Sequence, residues 1–350
     1  MTHSPMTTVH TYQPDQVLVV VPALNEARHI HACLRSLVDQ DPFMAEVKIV
    51  VADGGSTDGT QDIIAQFKNE HNKVHLLNNP QQLQSAGVNA AVAHHATPTH
   101  KIVVRCDAHA VYPANYVHDI VRSFERQPNA ASVATVMDAR GDNCFQRAAA
   151  WVVDTPFGSG GSAHRGGASS GWVDHAHHAG FQLDWFQQIG GYDPSFSHNE
   201  DAEYDIRLGV AGGRVWLDAD IRMDYQMRPT PMGLMRQYWR YGRGRARTVT
   251  KHKMRPRLRQ LIPVINLLLI TLCLGLGFAA PVLWLWPIAY FGALLAISAV
   301  AVVKLRSICG LCAGLALFIM HNAWAAGFLR QLAISRRKTR QLFRQRSRHI

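Results

Sequence analysis

Short apolar runs rich in β-branched residues recur through the first third of the chain, and segments of helical periodicity separate them. The runs cover positions 17–21, 47–52, 74–77 and 102–104. Unbroken apolar runs of this length are typical of strands that are buried on both faces. Their alternation with helices predicts an α/β fold with a doubly wound, mostly parallel sheet, whose ligands bind at the carboxyl ends of the strands.

Acidic and metal-binding side chains follow two of these runs. Asp53 opens a glycine-rich loop that ends at Thr60, and Asp107 and His109 follow the fourth run. Residues two apart in an extended segment point the same way, so Asp107 and His109 are predicted to face one divalent cation, Mg or Mn. Asp53 is interpreted as an acceptor for a base or ribose, beside glycines that let a nucleotide approach the backbone. The alternatives are a turn start at Asp107 and a capped glycine turn at Asp53.

Histidines and acids crowd the region between positions 174 and 205. His177 and His178 belong to a histidine-rich run, for which we expect hydrogen bonds to a substrate rather than a dedicated zinc site. Glu200 and Asp201 begin a predicted helix, where acids also suit the helix dipole. Several acids within seven positions exceed what helix capping needs. A carboxylate here is therefore a candidate general base, a group that takes a proton from a reacting group.

Charge divides the chain into two parts of different character. All 25 acidic residues lie at or before Asp224 with 15 Lys and Arg, and the other 21 basic residues follow without an acid. The first part therefore carries a charge of −10 and the rest +21. Basic clusters beside apolar spans are typical of anchors to anionic lipid. Nucleic acid is the rival partner, but it does not explain the apolar spans, so no nucleic acid is expected.

The longest charge-free stretch lies between Arg259 and Lys304 and covers 44 positions. A membrane span needs about 20 apolar residues, so two spans are predicted, over 261–279 and 281–303. A third apolar stretch, 307–329, is expected to be re-entrant or interfacial. A third crossing would carry the basic tail outside, against the positive-inside rule.

The polar N-terminus lacks a signal core, so the start of the chain is expected to stay in the cytoplasm. Six scattered cysteines show no disulfide spacing, and Cys309 and Cys312 are interpreted as small buried side chains. The predicted divisions are a polar tail (1–16), the α/β domain (17–227), a basic interfacial segment (228–260), two or three transmembrane helices (261–329) and a basic cytoplasmic tail (330–350).

The segments 21–26, 52–60 and 107–109 together resemble the nucleotide-sugar half of glycosyltransferase family 2, the inverting GT-A enzymes. By this resemblance the nucleotide sugar is held by Pro22, Ala23, Glu26, Asp53 and Asp107. Asp107 would be the first carboxylate of the D-x-D element, and His109 stands where many relatives have a second Asp. The E-D element matches Glu200 and Asp201, which implies that Asp201 is the catalytic base.

The segment 237–245 looks like a variant of the family's Q-x-x-R-W element, which borders the acceptor channel in relatives. The resemblance assigns to the acceptor or its diphosphate Glu200, His177, His178, Gln237, Trp239, Arg240 and Arg243.

Within the family, the middle motifs are most similar to glucosyltransferases of succinoglycan biosynthesis. That implies transfer of glucose in β linkage from UDP-glucose to a polyprenyl-diphosphate-linked saccharide, by a multi-pass protein of the inner membrane with its catalytic domain in the cytoplasm. The alternatives are a polyprenyl-phosphate sugar synthase and a non-catalytic basic protein that binds membrane or nucleic acid.

Overall fold

The structure is a computed structural model that describes residues 11–39, 41–166 and 169–346, without the side chains of His178 and of 338–346. Parts of the predicted polar tail (1–16) and basic tail (330–350) therefore lie outside the described residues. The chain forms two compact units. The first holds residues up to 137 and those from 169 to 224, and the second holds 138–166 and the chain from 225 onward. The predicted α/β domain, 17–227, included residues 138–166.

Strands and helices alternate through the first unit as the apolar runs predict. The strands are β1 (Val17–Ala23), β2 (Lys48–Asp53), β3 (Val74–Asn78), β4 (Ile102–Arg105), β5 (Ser132–Arg140), β6 (Gly171–Val173), β7 (His178–Gln182) and β8 (Val215–Gln226). The helices are α1 (Ile30–Val38), α2 (Thr60–Glu70), α3 (Gln84–His95), α4 (Tyr116–Arg126), α5 (Cys144–Val153), α6 (Pro156–Ser159), α7 (Leu183–Ile189), α8 (Glu200–Val210), α9 (Pro231–Lys251), α10 (Leu258–Leu276), α11 (Leu285–Leu305) and α12 (Ala313–Arg346).

The strands form one sheet in the order β3-β2-β1-β4-β7-β5-β8-β6. Pairs β1–β2, β1–β4 and β2–β3 are parallel, whereas β7 is antiparallel to both β4 and β5. Every residue of β1 and β4 is buried, which explains why their sequences are apolar runs rather than alternating patterns. The predicted α/β fold with a doubly wound, mostly parallel sheet is confirmed.

Parallel pairing brings the carboxyl ends of the central strands to one edge of the sheet. Ala23 at the end of β1 lies opposite Asp53 at the end of β2, and Val20 lies opposite Arg105 at the end of β4. Residues from three separated sequence motifs therefore meet at this edge, where ligands of open α/β sheets bind.

Helices dominate the second unit. Three segments are long and apolar enough to cross a membrane, Leu258–Leu276, Pro281–Leu305 and Ile308–Arg337, so the predicted C-terminal membrane region is helical as expected. In each of the first two segments only 17% of the most apolar 18 residues are buried, against 50% in the third. The third stretch contains the single continuous helix α12 rather than a re-entrant turn. Its buried positions pack against α5, α9 and α11 in two apolar clusters.

A disulfide joins Cys144, at the start of α5, to Cys309 in the short 3-10 turn Ile308–Cys312, with the two Cα atoms 4.6 Å apart. Cys309 is buried as expected, but the interpretation of it as merely a small side chain was wrong, because it is bonded to Cys144. The two partners are 165 positions apart in sequence, and spacing carries no information about a pair brought together by tertiary packing.

Candidate active site

Two loops at the carboxyl edge of the sheet are held together by side-chain hydrogen bonds. The backbone N–H of Asn25 donates to Ser56 Oγ at 2.8 Å, and that of Thr57 donates to Asn25 Oδ1 at 2.9 Å. The N–H of Glu26 donates to Thr60 Oγ1 at 2.9 Å. Asn25 has a φ of 57°, which asparagine tolerates better than most residues. The loop after β1 therefore has a fixed shape beside the glycine-rich loop after β2.

Asp53 ends strand β2 at the start of the glycine-rich loop and is 1% exposed. Its Oδ2 accepts hydrogen bonds from the backbone N–H groups of Gly55 and Ser56, each at 2.9 Å, and from Gln61 Nε2 at 2.6 Å. Its Oδ1 accepts from Ser56 Oγ at 2.5 Å. A carboxylate has about four acceptor positions. The structure uses these positions to shape the loop, while recognition of a base or ribose by Asp53 stays a prediction.

Arg105 is a buried cation at the carboxyl edge of the sheet in the first unit. Its side chain is 4% exposed, and the guanidinium Nη1 donates to Asp201 Oδ1 at 2.7 Å and to Tyr192 Oη at 3.2 Å. Its Nη2 lies 3.3 Å from Asp107 Oδ1 and 3.7 Å from Glu200 Oε1. The buried guanidinium is therefore close to three carboxylates, which come from two motifs that are far apart in the sequence. Burial alone lowers the pKa of Arg105, but Asp201 and the other acids outweigh burial, so the guanidinium stays charged.

Glu200 and Asp201 occupy the first turn of α8, as the sequence predicts. Asn199 precedes them in the left-handed region, with a φ of 68° and no cap hydrogen bond from its side chain. Tyr192 Oη donates to Asp201 Oδ1 at 2.7 Å, so the Asp201 carboxylate is oriented by both Tyr192 and Arg105. Burial, and then the negative charge of Asp201, raise the pKa of Glu200 to about 7.

Asp107 and His109 do not lie on an extended segment. Strand β4 ends at Arg105, and the N–H of Ala110 donates to the carbonyl of Asp107 at 3.1 Å to close a turn. The expectation that both side chains point the same way was therefore based on the wrong local structure. His109 Nδ1 lies 3.5 Å from Glu26 Oε1, which links the D-x-H motif to the first loop.

Asp107 is surrounded by donors. Gln84 Nε2 donates to its Oδ1 at 3.0 Å, and His177 Nε2 lies 3.7 Å from its Oδ2. Burial disfavours the charged form, but Arg105 and His177 outweigh burial and hold the pKa of Asp107 well below its usual value. The carboxylate is therefore ionised at any physiological pH, as a ligand for a cation must be.

Within the described ranges, no group of three or more His, Cys, Asp or Glu side chains comes together as a metal-binding set. A magnesium-like cation does not need such a set, because it is usually held by one or two carboxylates together with substrate phosphates. Asp107 supplies such a carboxylate, and His109 stands two residues further along the same turn.

The histidine-rich segment contacts two acids, Asp205 and Asp107. His175 Nδ1 lies 2.5 Å from Oδ2 of the buried Asp205, one helical turn after Asp201 in α8. His177 faces Asp107, whereas the side chain of His178 lies outside the described residues. Both described contacts are with carboxylates of the protein, and the predicted hydrogen bonds from these histidines to sugar hydroxyls stay a prediction.

Residues of the predicted acceptor motif belong to α9, in the second unit. Gln237 Nε2 donates to Tyr225 Oη at 2.6 Å and to Tyr241 Oη at 3.0 Å. Trp239 lies under Arg330, and Arg243 Nε donates to Gln331 Oε1 at 3.4 Å, so both pack on α12. Arg240 is exposed. Their predicted contact with an acceptor stays a prediction.

Arg105, Tyr192 and Gln84 are residues of this cluster that sequence reasoning missed. A signal for Arg105 was present, because an arginine within a fully apolar strand must find buried partners. Tyr192 and Gln84 stand in ordinary sequence surroundings, and their role depends on tertiary contacts alone.

Comparisons with known proteins agree with the mixed α/β sheet and with the family-like motifs. A model of the Glycosyl transferase family 2 matches residues 18–190. The chain is 40% identical over 325 residues to the Succinoglycan biosynthesis protein ExoA of Rhizobium meliloti, covering 92% of this chain and 96% of that protein. The chain belongs to glycosyl transferase family 2, so it is a glycosyltransferase, and the resemblance predicted from its motifs is confirmed.

More distant similarities extend to other glycosyltransferases. A dolichyl N-acetyl-alpha-D-glucosaminyl phosphate 3-beta-D-2,3-diacetamido-2,3-dideoxy-beta-D-glucuronosyltransferase of Methanococcus voltae is 22% identical over 67% of this chain and 74% of its own length. The mannosyltransferase PcManGT of Pyrobaculum calidifontis, solved with GDP-Man and Mn2+, has a TM-score of 0.60 at 20% identity, with 92% of this chain and 88% of that chain covered. This likeness confirms the expected GT-A-like fold.

Proposed function

We propose that this glycosyltransferase is an inverting enzyme that moves glucose, in β linkage, from UDP-glucose to a polyprenyl-diphosphate-linked saccharide during exopolysaccharide synthesis. The similarity to a succinoglycan biosynthesis protein over nearly the whole chain supports this substrate class. Three helices of membrane-spanning length support an acceptor that is carried by a lipid.

The observation that carries the proposal is the grouping of Asp107, Glu200 and Asp201 around Arg105 at the carboxyl edge of the sheet. Asp201 is the proposed base because Tyr192 and Arg105 both bind its Oδ1, which orients the carboxylate. A positioned carboxylate that accepts a proton is what transfer with inversion requires.

The proposed reaction is a single displacement at the anomeric carbon. The acceptor hydroxyl oxygen forms a bond to the anomeric carbon while the bond from that carbon to the UDP oxygen breaks. Asp201 takes the hydroxyl proton, and UDP leaves with the electron pair of the broken bond. Arg105 holds Asp201 in place and keeps its charge balanced until the proton arrives.

The nucleotide is proposed to lie against the first two loops. The proposed contacts are Pro22 and Ala23 at the end of β1, Asp53 at the end of β2, and Glu26 in the loop between β1 and α1. Hydrogen bonds from Asn25 and Glu26 to the glycine-rich loop fix the shape of the loop between β1 and α1. Asp107 and His109 are the proposed holders of a divalent cation, Mg or Mn. When bound, the cation would neutralise charge on the departing diphosphate.

We further propose that the acceptor or its diphosphate contacts Glu200, His177 and His178 in the first unit and Gln237, Trp239, Arg240 and Arg243 in α9. The protein is proposed to be a multi-pass protein of the inner membrane with its catalytic residues on the cytoplasmic side, where UDP-sugars are available. The excess of basic over acidic residues after Asp224 supports attachment to anionic lipid.

The proposal is tested with Asp201→Asn. We expect the rate of transfer from radiolabelled UDP-glucose to membrane lipid to fall by a factor of about 100 or more, because the amide cannot accept the proton. UDP binding should persist. Asp62→Asn is the matched control, because Asp62 is an exposed acid in the first turn of α2, and it should transfer at the wild-type rate.

Undiminished transfer by Asp201→Asn would exclude Asp201 as the base. To identify the acceptor, a polyprenyl monophosphate and a polyprenyl-diphosphate-linked saccharide are supplied in separate transfer assays. Labelling of the monophosphate alone would identify the polyprenyl-phosphate sugar synthase instead.

A further inference from the structure

Uncompensated positive charge is concentrated in the second unit. This unit contains 24 Lys and Arg residues but only three acids, Asp138, Asp142 and Asp154. Most arginines on a protein surface are solvated and need no further explanation. Four of these arginines form a group: Arg165 belongs to the loop of residues 157–166, Arg259 contacts that loop, and the charges of Arg257 and Arg259 at the start of the apolar helix α10 act on Arg245.

Arg259 contacts the middle of that loop, and Arg165 lies near its end. Arg259 Nη1 donates to the carbonyl of Gly160 at 2.7 Å and to that of Gly161 at 3.3 Å. The guanidinium of Arg165 lies over the ring of Tyr225, with its central carbon 4.1 Å from the ring centroid. Stacking on an aromatic ring fixes the plane of a guanidinium and leaves its N–H edge available to an anion.

Helix α9 supplies the opposite side of the cluster. Tyr225 Oη lies 2.6 Å from Gln237 Nε2 and 3.4 Å from Tyr241 Oη. Positions 237, 241 and 245 follow each other at intervals of four, so Arg245 lies one turn further along the same helix face. Burial and the neighbouring charges of Arg257 and Arg259 lower the pKa of Arg245 to about 10.

Two donors of this cluster are buried without a hydrogen-bond partner in the part of the chain that the structure describes, Arg165 Nη1 and Arg245 Nε. Asp154 is the acid that acts on Arg165, and one carboxylate cannot balance several guanidinium groups. A buried donor without an acceptor is costly. Both observations indicate that a ligand with more than one negative charge completes the cluster.

We propose that Arg165, Arg245 and Arg259 form a binding site for the diphosphate group of a lipid-borne substrate. Guanidinium groups bind phosphate oxygens through paired N–H donors, and a diphosphate offers enough oxygens for several of them. The lipid character follows from the position of Arg257 and Arg259 at the start of α10, because charged residues at the end of an apolar span lie at the level of lipid head groups. The site rests on the proposed transfer to a lipid-linked acceptor, for which it supplies the anchor.

The test is direct ligand binding to the full-length protein in detergent, with farnesyl diphosphate, farnesol, inorganic pyrophosphate and UDP as separate probes. We expect farnesyl diphosphate to bind more tightly than farnesol or pyrophosphate. Arg245→Gln and Arg165→Gln should each weaken its binding about tenfold or more, while UDP binding stays at the wild-type level. Arg245→Lys, which keeps the charge but loses the paired donors, should weaken binding less.

Arg236→Gln is the matched control, because Arg236 is an exposed arginine of the same helix outside the cluster. Wild-type binding of farnesyl diphosphate by the double variant Arg165→Gln/Arg245→Gln would overturn the site. Equal affinity for pyrophosphate and farnesyl diphosphate would overturn its lipid character. Failure of sugar transfer alone would contradict the proposed function and not the site, because the binding measurements need no transfer.

Discussion

The balance of charge around Arg105 depends on the protonation of a single residue. One guanidinium faces the carboxylates of Asp107, Glu200 and Asp201, so the group carries a net charge of about −2 when all three are ionised. Protonation of Glu200 removes one of those negative charges. Because burial and Asp201 place the pKa of Glu200 at about 7, the electrostatics of the proposed site change near neutral pH.

This shift predicts a pH dependence of the transfer rate. Above pH of about 7 the ionised Glu200 places a negative charge beside Asp201 and increases its affinity for a proton, so we expect the rate to rise through that pH. Turnover measured at saturating substrates between about pH 5 and 9 should show this rise in the wild type and not in Glu200→Gln. Glu70→Gln, at an exposed position in α2, should keep the wild-type profile.

The same residue also affects stability. Glu200 binds its proton more tightly in the folded chain than its ordinary pKa of 4.5 allows, so stability should fall as the pH rises from 4.5 to about 7. Glu200→Gln should remove that fall. A rate profile that is flat through neutral pH, or that is the same in wild type and Glu200→Gln, would contradict the assigned pKa.

The positions of Asp53 and Asp201 followed from the sequence, since one ends a buried strand and the other begins a helix. Their partners did not. Asp53 is satisfied by its own loop, and Asp201 is held by an arginine 96 positions away. Motifs report which residue types occur together, whereas partners depend on the tertiary fold. Only the unusual placement of Arg105 in a buried strand indicated such a partner in advance.

Helices α9 and α12 approach each other through glycines. A Cβ at Gly242 would meet the backbone of Trp324 and Phe328, and a Cβ at Gly327 would meet the backbone of Trp239. Small residues that let two helix backbones come this close are a common feature of membrane helix pairs. The contact joins the arginine-rich helix α9 to the centre of the longest helix in the second unit.

Gly242→Ala is therefore expected to destabilise the protein by about 1–3 kcal/mol, because neither backbone can move away without disturbing the pair. The measurement is an SDS titration followed by tryptophan fluorescence, since Trp239 and Trp324 lie at the contact. Gly292→Ala in α11 is the control: nothing lies within 4 Å of the added Cβ, and alanine favours a helix by roughly 0.5–1 kcal/mol. Equal effects at the two positions would show that the contact is not tight.

At the level of elements, the apolar runs predicted the ends of the first four strands to within two residues, and the first two apolar stretches predicted the ends of α10 and α11 to within two to four residues. It could not predict how the third apolar stretch is used. Hydrophobicity is the same whether a helix faces lipid or protein, and α12 is buried mainly because α5, α9 and α11 pack on it. The disulfide between Cys144 and Cys309 is a further consequence of this packing that no sequence spacing records.

The whole molecule carries a charge of −10 up to Asp224 and +21 beyond it, and the length of α12 limits how the basic part can lie at a membrane. Helix α12 has 34 residues, which corresponds to about 50 Å, and the hydrocarbon core of a bilayer is about 30 Å thick. Part of α12 must therefore lie outside the hydrocarbon. Its segment around Trp324 and Phe328 packs on α9, whose arginines cannot enter lipid without large cost.

We therefore predict that α10 and α11 cross the membrane and that α12 returns to the side on which α9 lies. Green fluorescent protein fused to the C-terminus should then fluoresce in intact cells, which requires a cytoplasmic location. A cysteine introduced at Ala280, between α10 and α11, should react with a membrane-impermeant maleimide added outside. The control is a cysteine at Arg236 in α9, which is exposed and should react only after the cells are opened.

The opposite outcome has an equally definite meaning. A dark C-terminal fusion, together with external labelling at Ala280 and none at Arg236, would mean that α12 crosses the bilayer as a third span. The close contact of Gly242 and Gly327 with backbone would then have to break in the membrane. The positive-inside rule argues for the first outcome, because Arg330, Arg336 and Arg337 would otherwise be carried across with the end of α12.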